Sequence, residues 1–438
     1  MLINFGRTPQ LKNITRYDAG FLLRTIGLVA GLFFAQVAAA QQALPLTLQE
    51  AEELALYDEP GQNSLRLRAG ALRDESVAGG QLPDPTMRVG LANFPIQSGG
   101  FTTEGMTQAQ LGIRQVFPGG DTRELTTRKF RTLADEMSHK ADGRGRDVLT
   151  AVRMAWLETH YWREAHQMAI ESRPFFADLA TITTSLYSVG RKSQQDVLRA
   201  DLELRRLDDR IINMSNQHGR SRAALSEWVG TESERPVATM MPEWKAVPPL
   251  GVLKKDLRAH PAMLAADASV GASFVSVDLA EQKYKPDWAV DVGYGYRDGY
   301  LSNGDPRSDF VSVSVTVDLP FFRSNRQDKS VGAALSQRRA ADQSREELLR
   351  RLNSQLDAEY VRWEELGSRL ALYEESILGV SADNASAALA AYQSDTGDFA
   401  DAMRGYTDDL NTRLEYIRLQ VERAQSYAML ANLGGLPR

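Results

Sequence analysis

The chain is 438 residues long, carries a formal charge of −6 with a pI near 5.6, and contains no cysteine. That balance excludes the clustered Lys and Arg of a nucleic-acid surface, and the missing cysteine excludes disulfide staples and a lipid attached through cysteine. The length allows one large core or two to three domains.

Residues 1–40 differ from everything that follows. Arg7, Lys12, Arg16 and Arg24 precede the uncharged run "TIGLVAGLFFAQVAAA", which ends on Ala38, Ala39 and Ala40. A basic segment, an apolar run of about 13 residues and small residues at the cleavage positions read as a secretory signal peptide; a retained anchor is the alternative. The segment holds four positive charges and one negative, so its removal takes the chain to about −9. No later stretch approaches 18 consecutive apolar residues, so a membrane crossing has to be made by strands. Export without disulfides suits a bacterial envelope protein.

The rest of the chain repeats itself. A helical lead-in, "LTLQEAEELALYDEPG", and a further helix precede "LPDPTMRVGLANFP" and "QLGIRQVFPGGDTRE". The same order returns with "LGVLKKDLRAHPAM", "YKPDWAVDVGYGYR" and "SVSVTVDLPFFRSNR", matching Pro83-Asp84 to Pro286-Asp287 and Pro118 to Pro320. Tyr187 to Leu198 likewise answers Tyr392 to Met403, and the offsets stay between 202 and 205 residues. Two copies of one unit follow: 41–230 with a β-hairpin at about 84–118, and 231–438 with a β-hairpin at about 286–320.

In each hairpin apolar and small or polar residues alternate, which is the period of a strand. Val311, Val313, Val315 and Val317 take one face and Ser312, Ser314, Thr316 and Asp318 the other, and Asp291 joins the polar face of the strand before. The helices carry heptad seams. Leu349, Leu352, Leu356, Trp363, Leu366 and Leu370 mark the long helix of the second unit, and Leu204, Leu207, Ile211 and Met214 the return helix of the first. Such seams favour long helices crossing at about 20°. A helix from Asn325 to Ala391 spans roughly 100 Å at 1.5 Å per residue. Pro174 predicts a kink or local unwinding in the first long helix.

Four strands cannot close a barrel, and an open sheet in lipid leaves unpaired backbone at both edges. Closure takes at least eight strands, so the chain must self-associate, three copies giving twelve. The fold class expected is a mixed α and β membrane protein with long coiled-coil helices; the family resemblance described below implies that these form an α-barrel and that three copies share a 12-stranded transmembrane β-barrel. In this reading Ser312, Ser314, Thr316, Asp318 and Asp291 face a wet lumen. Trp288, Tyr294, Tyr296, Tyr300, Phe310, Phe321 and Phe322 supply aromatic girdles. The same pattern also suits a soluble periplasmic coiled-coil scaffold or adaptor without a pore, whose hairpins pack their aliphatic faces on helices.

The doubled unit, the hairpin wording and the turn segments after Tyr187 and Tyr392 together resemble the TolC-type outer-membrane efflux proteins, over about residues 45–435. The first hairpin is most similar to members exporting heavy-metal cations. The resemblance implies a homotrimeric duct in the bacterial outer membrane that extends into the periplasm, giving passive exit to substrates. It implies a periplasmic adaptor and an inner-membrane pump of the resistance-nodulation-division type as partners, besides outer-membrane lipid. It also implies a gate at the periplasmic helix tip, ringed by acids. Asp401, nine residues after Tyr392, matches the first ring acid, and Asp196 stands nine after Tyr187. Arg404 occupies the second ring position, and Asp398 is placed to replace that carboxylate. Asp401 and Arg404, with Tyr392, are expected to hold the gate through contacts between helices; alternatively these acids form a solvated face or cap the helix after Gly397.

No covalent chemistry is indicated. The five histidines make no metal constellation, with His160 and His166 on different helix faces and the His160–Glu164 spacing attributed to helix surface; no nucleophile motif has its strand-turn-helix context. Neither a catalytic residue, a cofactor nor a metal is expected.

Overall fold

The computed structural model describes residues 44–244 and 246–434; the signal segment lies outside them. The first unit runs α1 (Leu48–Leu56), α2 (Pro60–Ala78), β1 (Thr86–Ala92), β2 (Gln108–Phe117), α3 (Thr122–Ser188) and α4 (Gln194–Val229). The second runs α5 (Leu250–Asp256), α6 (Pro261–Gln282), β3 (Trp288–Tyr296), β4 (Phe310–Val317), α7 (Gln327–Leu372), a π-helical turn (Tyr373–Ile377), α8 (Leu378–Gln393) and α9 (Phe399–Gly434).

Helix α3 has 67 residues, and α7 with the π turn and α8 forms an uninterrupted helical path over 327–393, so both rods are about 100 Å long. The heptad seams are the buried stripes. Ala200, Leu207, Met214 and Ser221 recur every seven residues along α4, and Leu352, Leu356, Trp363, Leu366 and Leu370 line α7. Three apolar clusters hold the helices together. One joins Leu46, Trp156, Leu225 and Val421, the next Leu179, Leu207, Tyr392 and Leu410, and a third Leu253, Leu257, Leu356 and Leu430. Around the first cluster, Trp156 donates its indole N–H to the Leu46 carbonyl at 3.0 Å, and the Arg153 guanidinium meets the Glu52 carboxylate at 2.6 Å, both side chains nearly buried. Helix α6 is, among the described residues, the one helix long and apolar enough to cross a membrane by length and composition; it packs on α3 and α7.

Pro174 does not interrupt α3. The ring sits on an exposed position, where water can satisfy the Ile170 carbonyl that the missing N–H releases. The second unit bears its irregularity at the same height. The two rods are offset by 205 residues, which carries Ile170 to Glu375, inside the π turn. Glu374 in that turn accepts the Tyr416 hydroxyl of α9 at 2.8 Å, and burial together with this carboxylate pushes the Tyr416 phenol up to about 12.

The four strands form one antiparallel sheet in the order β1-β2-β3-β4. Both hairpins are joined to the helices at their base, where Asp287 accepts the Gly119 N–H at 2.5 Å and Lys285 meets Asp121 at 3.2 Å.

Candidate functional site

The sheet register sorts its residues onto two faces. Arg114 lies opposite Asp291, Asp291 opposite Ser314, Gly293 opposite Ser312 and Ala289 opposite Thr316. This face lines a hollow of about 530 Å³ that includes Thr86, Arg88, Gln110, Arg114, Asp291, Ser312, Ser314 and Thr316. Within it the Arg114 guanidinium lies 3.7 Å from the Asp291 carboxylate. Glycines keep the hollow open: a Cβ on Gly295 would collide with Gln108 Oε1.

The opposite face carries Met87, Val89, Leu91, Ile113, Val292, Val311, Val313 and Val315, all exposed. Val313 is 68% exposed, and among the described residues no helix packs along the sheet. Each aliphatic side chain left in water forgoes roughly 1.5–3 kcal/mol of burial, so this band needs an apolar surrounding. Aromatic pairs bound it. Phe117 stacks on Trp288 at 4.3 Å between ring centroids, and Phe101 on Tyr296 at 6.3 Å. Trp288 and Tyr296 are the ends of β3, about 26 Å apart at roughly 3.3 Å per residue, close to the height of an outer-membrane apolar band. Phe310 departs from the expected girdle: it pairs with Gly295 on the polar face, and the Arg297 guanidinium lies 3.8 Å above its ring.

At the far end of the rods, two tight turns reverse α3 into α4 and α8 into α9. Gly190 (φ 77°) and Asp395 (φ 61°) take left-handed conformations there, 205 residues apart, and Asp is among the few residues other than Gly that accept one. Tyr392 is fully buried and donates its hydroxyl to Thr183 Oγ1 of α3 at 3.1 Å. Phe399 meets its ring edge-on and the Lys192 ammonium lies 4.9 Å from the ring centroid. Lys192 also pairs with Asp395 at 2.8 Å, which holds that carboxyl below its ordinary value. At the tip the two repeats are therefore tied by Thr183–Tyr392 and Lys192–Asp395.

The acids and the arginine singled out in the sequence sit close by but make other contacts. Arg404 pairs with Asp401 at 3.3 Å along the same helix, both exposed, rather than across helices. Asp398 immediately precedes α9, and its carbonyl accepts the Asp401 and Ala402 N–H groups. Asp196 closes a capping box with Ser193 at the start of α4. Thr183, Lys192 and Asp395 carried no local signal, although the turn equivalence of Gly190 and Asp395 was available from the repeat. His160, assigned to the helix surface from its spacing, is buried instead, stacked on Trp156 and within 3.2 Å of the Ala238 carbonyl.

Residues 252–436 match the family model described as outer membrane efflux protein. The match takes in most of the second unit. Over 412 residues the chain is 25% identical to Protein CyaE of Bordetella pertussis, covering 90% of this chain and 85% of that protein. Among solved structures, CusC, described as forming a transmembrane channel, superposes with a TM-score of 0.77 at 13% identity, over 91% of this chain and 95% of its own. The outer-membrane channel OprN gives 0.74 at 18% identity, over 89% and 90%. These likenesses extend the efflux-protein fold across both units.

Proposed function

We propose that this protein is the outer-membrane channel of a tripartite efflux system, in which three copies enclose one duct and give substrates passive exit across periplasm and outer membrane. One observation carries the proposal: a four-stranded sheet has a bare aliphatic face on one side, a hydroxyl and charged face on the other and two open edges, on helical rods about 100 Å long. In the scaffold reading the aliphatic face would rest on helices. Twelve strands from three copies close the edges and leave the polar face around water.

The partners follow from the same reading: a periplasmic adaptor around the rods and an inner-membrane pump of the resistance-nodulation-division type, with lipid against Val311, Val313 and Val315. Ser312, Ser314, Thr316, Asp318 and Asp291 line the exit. The gate is the helix tip at Tyr392, with Asp398, Asp401, Arg404 and Asp196 as its charged surface. Substrate choice, heavy-metal cations included, rests with the pump; passage needs no reaction and no resident metal.

The test places single cysteines at Val313 and Ser314 in the naturally cysteine-free chain, in intact outer membranes. A membrane-impermeant thiol reagent should modify Ser314→Cys and spare Val313→Cys, and the purified protein should conduct in planar bilayers. Equal modification at both positions refutes the assignment.

A further inference from the structure

The two hairpins are the same object in register as well as in sequence. The shift from Pro83 to Pro286 carries β1 onto β3, and the shift from Pro118 to Pro320 carries β2 onto β4. Applied to the observed β1–β2 pairs, they turn Thr86↔Arg114 into Ala289↔Thr316 and Met87↔Ile113 into Val290↔Val315, which are the pairs found in β3–β4. The remaining junction, β2–β3, has its repeat image only between β4 of one copy and β1 of another. Ile113↔Val292 becomes Val315↔Val89, Arg114↔Asp291 becomes Thr316↔Arg88, and Gly112↔Gly293 becomes Ser314↔Gly90.

Two features of the strands agree with this register. It sets Met87, Val89 and Leu91 against Val317, Val315 and Val313 on the apolar face, and Arg88 and Gly90 against Thr316 and Ser314 on the polar one; a slip of one residue would mix the faces. It also resolves the charges of the inner wall. Arg114 and Asp291 pair within the chain, whereas the Arg88 and Asp318 side chains have no side-chain partner among the described residues and stand at opposite edges of the sheet.

We propose that β1 of one copy pairs antiparallel with β4 of a second copy with Val89 opposite Val315, and that Arg88 thereby reaches Asp318 of the second copy across one diagonal step. A diagonal of about 7–8 Å between Cβ atoms is within the span of an arginine. The proposal rests on the channel reading and adds the residue-level junction that would close the barrel.

Two cysteine pairs test it: Val89→Cys with Val315→Cys, and Gly90→Cys with Ser314→Cys. Successive antiparallel pairs alternate between wide and narrow spacing, so one of the two has the narrower geometry suited to a disulfide. Mild oxidation in membranes should give covalent dimers and trimers on denaturing gels, severalfold more than Val89→Cys with Val313→Cys or with Val317→Cys. Preferential linkage of either shifted pair overturns the register while leaving a trimeric channel standing; a monomer by light scattering in detergent overturns the channel reading as well. Separately, Arg88→Asp should lower the temperature at which the detergent-resistant trimer dissociates, and Arg88→Asp with Asp318→Arg should restore it. Equal loss in the single and double variants overturns the charge pair.

Discussion

Removing one oxygen atom tests the tip. In Tyr392→Phe the ring keeps its buried place against Phe399 and the Lys192 ammonium, and only the 3.1 Å hydrogen bond to Thr183 is lost. Thr183 is not orphaned, because its hydroxyl still donates to the Leu179 carbonyl at 2.7 Å. The loss is therefore that of one net hydrogen bond, about 0.5–1.5 kcal/mol, without a cavity term. If opening parts α8 from α3 in all three copies together, the closed assembly loses about 1.5–4.5 kcal/mol, which raises the open-to-closed ratio roughly ten- to two-thousandfold. Single-channel recording in planar bilayers should show longer or larger openings in Tyr392→Phe, with the melting temperature nearly unchanged. Wild-type conductance and open times in Tyr392→Phe would refute the reasoning, and would make Thr183–Tyr392 a packing contact only.

Other expectations concern the rods. Glu52→Gln strands the Arg153 charge in a buried place, costing about 3–5 kcal/mol, while Glu52→Leu with Arg153→Met should lie within a few kcal/mol of wild type; denaturant titration of both variants separates the two outcomes. A Cβ at Gly405 would lie 3.0 Å from Ala385 Cα, so Gly405→Val should push α9 off α8 and destabilise by about 1–3 kcal/mol, read as a lower melting temperature and earlier proteolysis near the tip. Burial holds the His160 and His260 imidazoles below their ordinary value. Their neutral forms are thus favoured on folding, a contribution complete above about pH 6.5 and lost as pH falls through the depressed native values. Melting temperature should drop between pH 7.5 and 5.5 and drop less in His160→Gln; identical slopes would refute the assignment.

Periodicity made the architecture readable. The sevenfold recurrence of Ala200, Leu207, Met214 and Ser221 and the alternation of Val311 to Val317 are local patterns, and they are the buried stripe and the two-faced strand of the structure. The tip was readable only in part. Tyr392 could be placed from its match to Tyr187, but its hydroxyl bonds to Thr183, 209 residues away, and such a contact between repeats leaves no trace in local spacing. The Asp401–Arg404 pair, by contrast, is local: its i,i+3 spacing stands in the sequence, and the bond runs along one helix rather than between helices. His160 stacks on Trp156 one turn earlier in α3, but it is Ala238, from outside the helix, that meets its ring nitrogen, so the pattern of α3 alone misassigned it to the surface. Pro174 carried its usual breaking signal, which an exposed position beside water made harmless.

The shared height of Pro174 and the π turn sets a lever arm. From Ile377 to Gln393 the helix runs about 24 Å at 1.5 Å per residue, and α3 beyond Pro174 is nearly as long. A proline and a π turn are both places where a helix bends readily. A tilt of about 10° there, repeated around the tube, displaces each helix end by roughly 4 Å, so six small bends at one latitude would change the aperture by more than the width of a water molecule while the upper rods stay still.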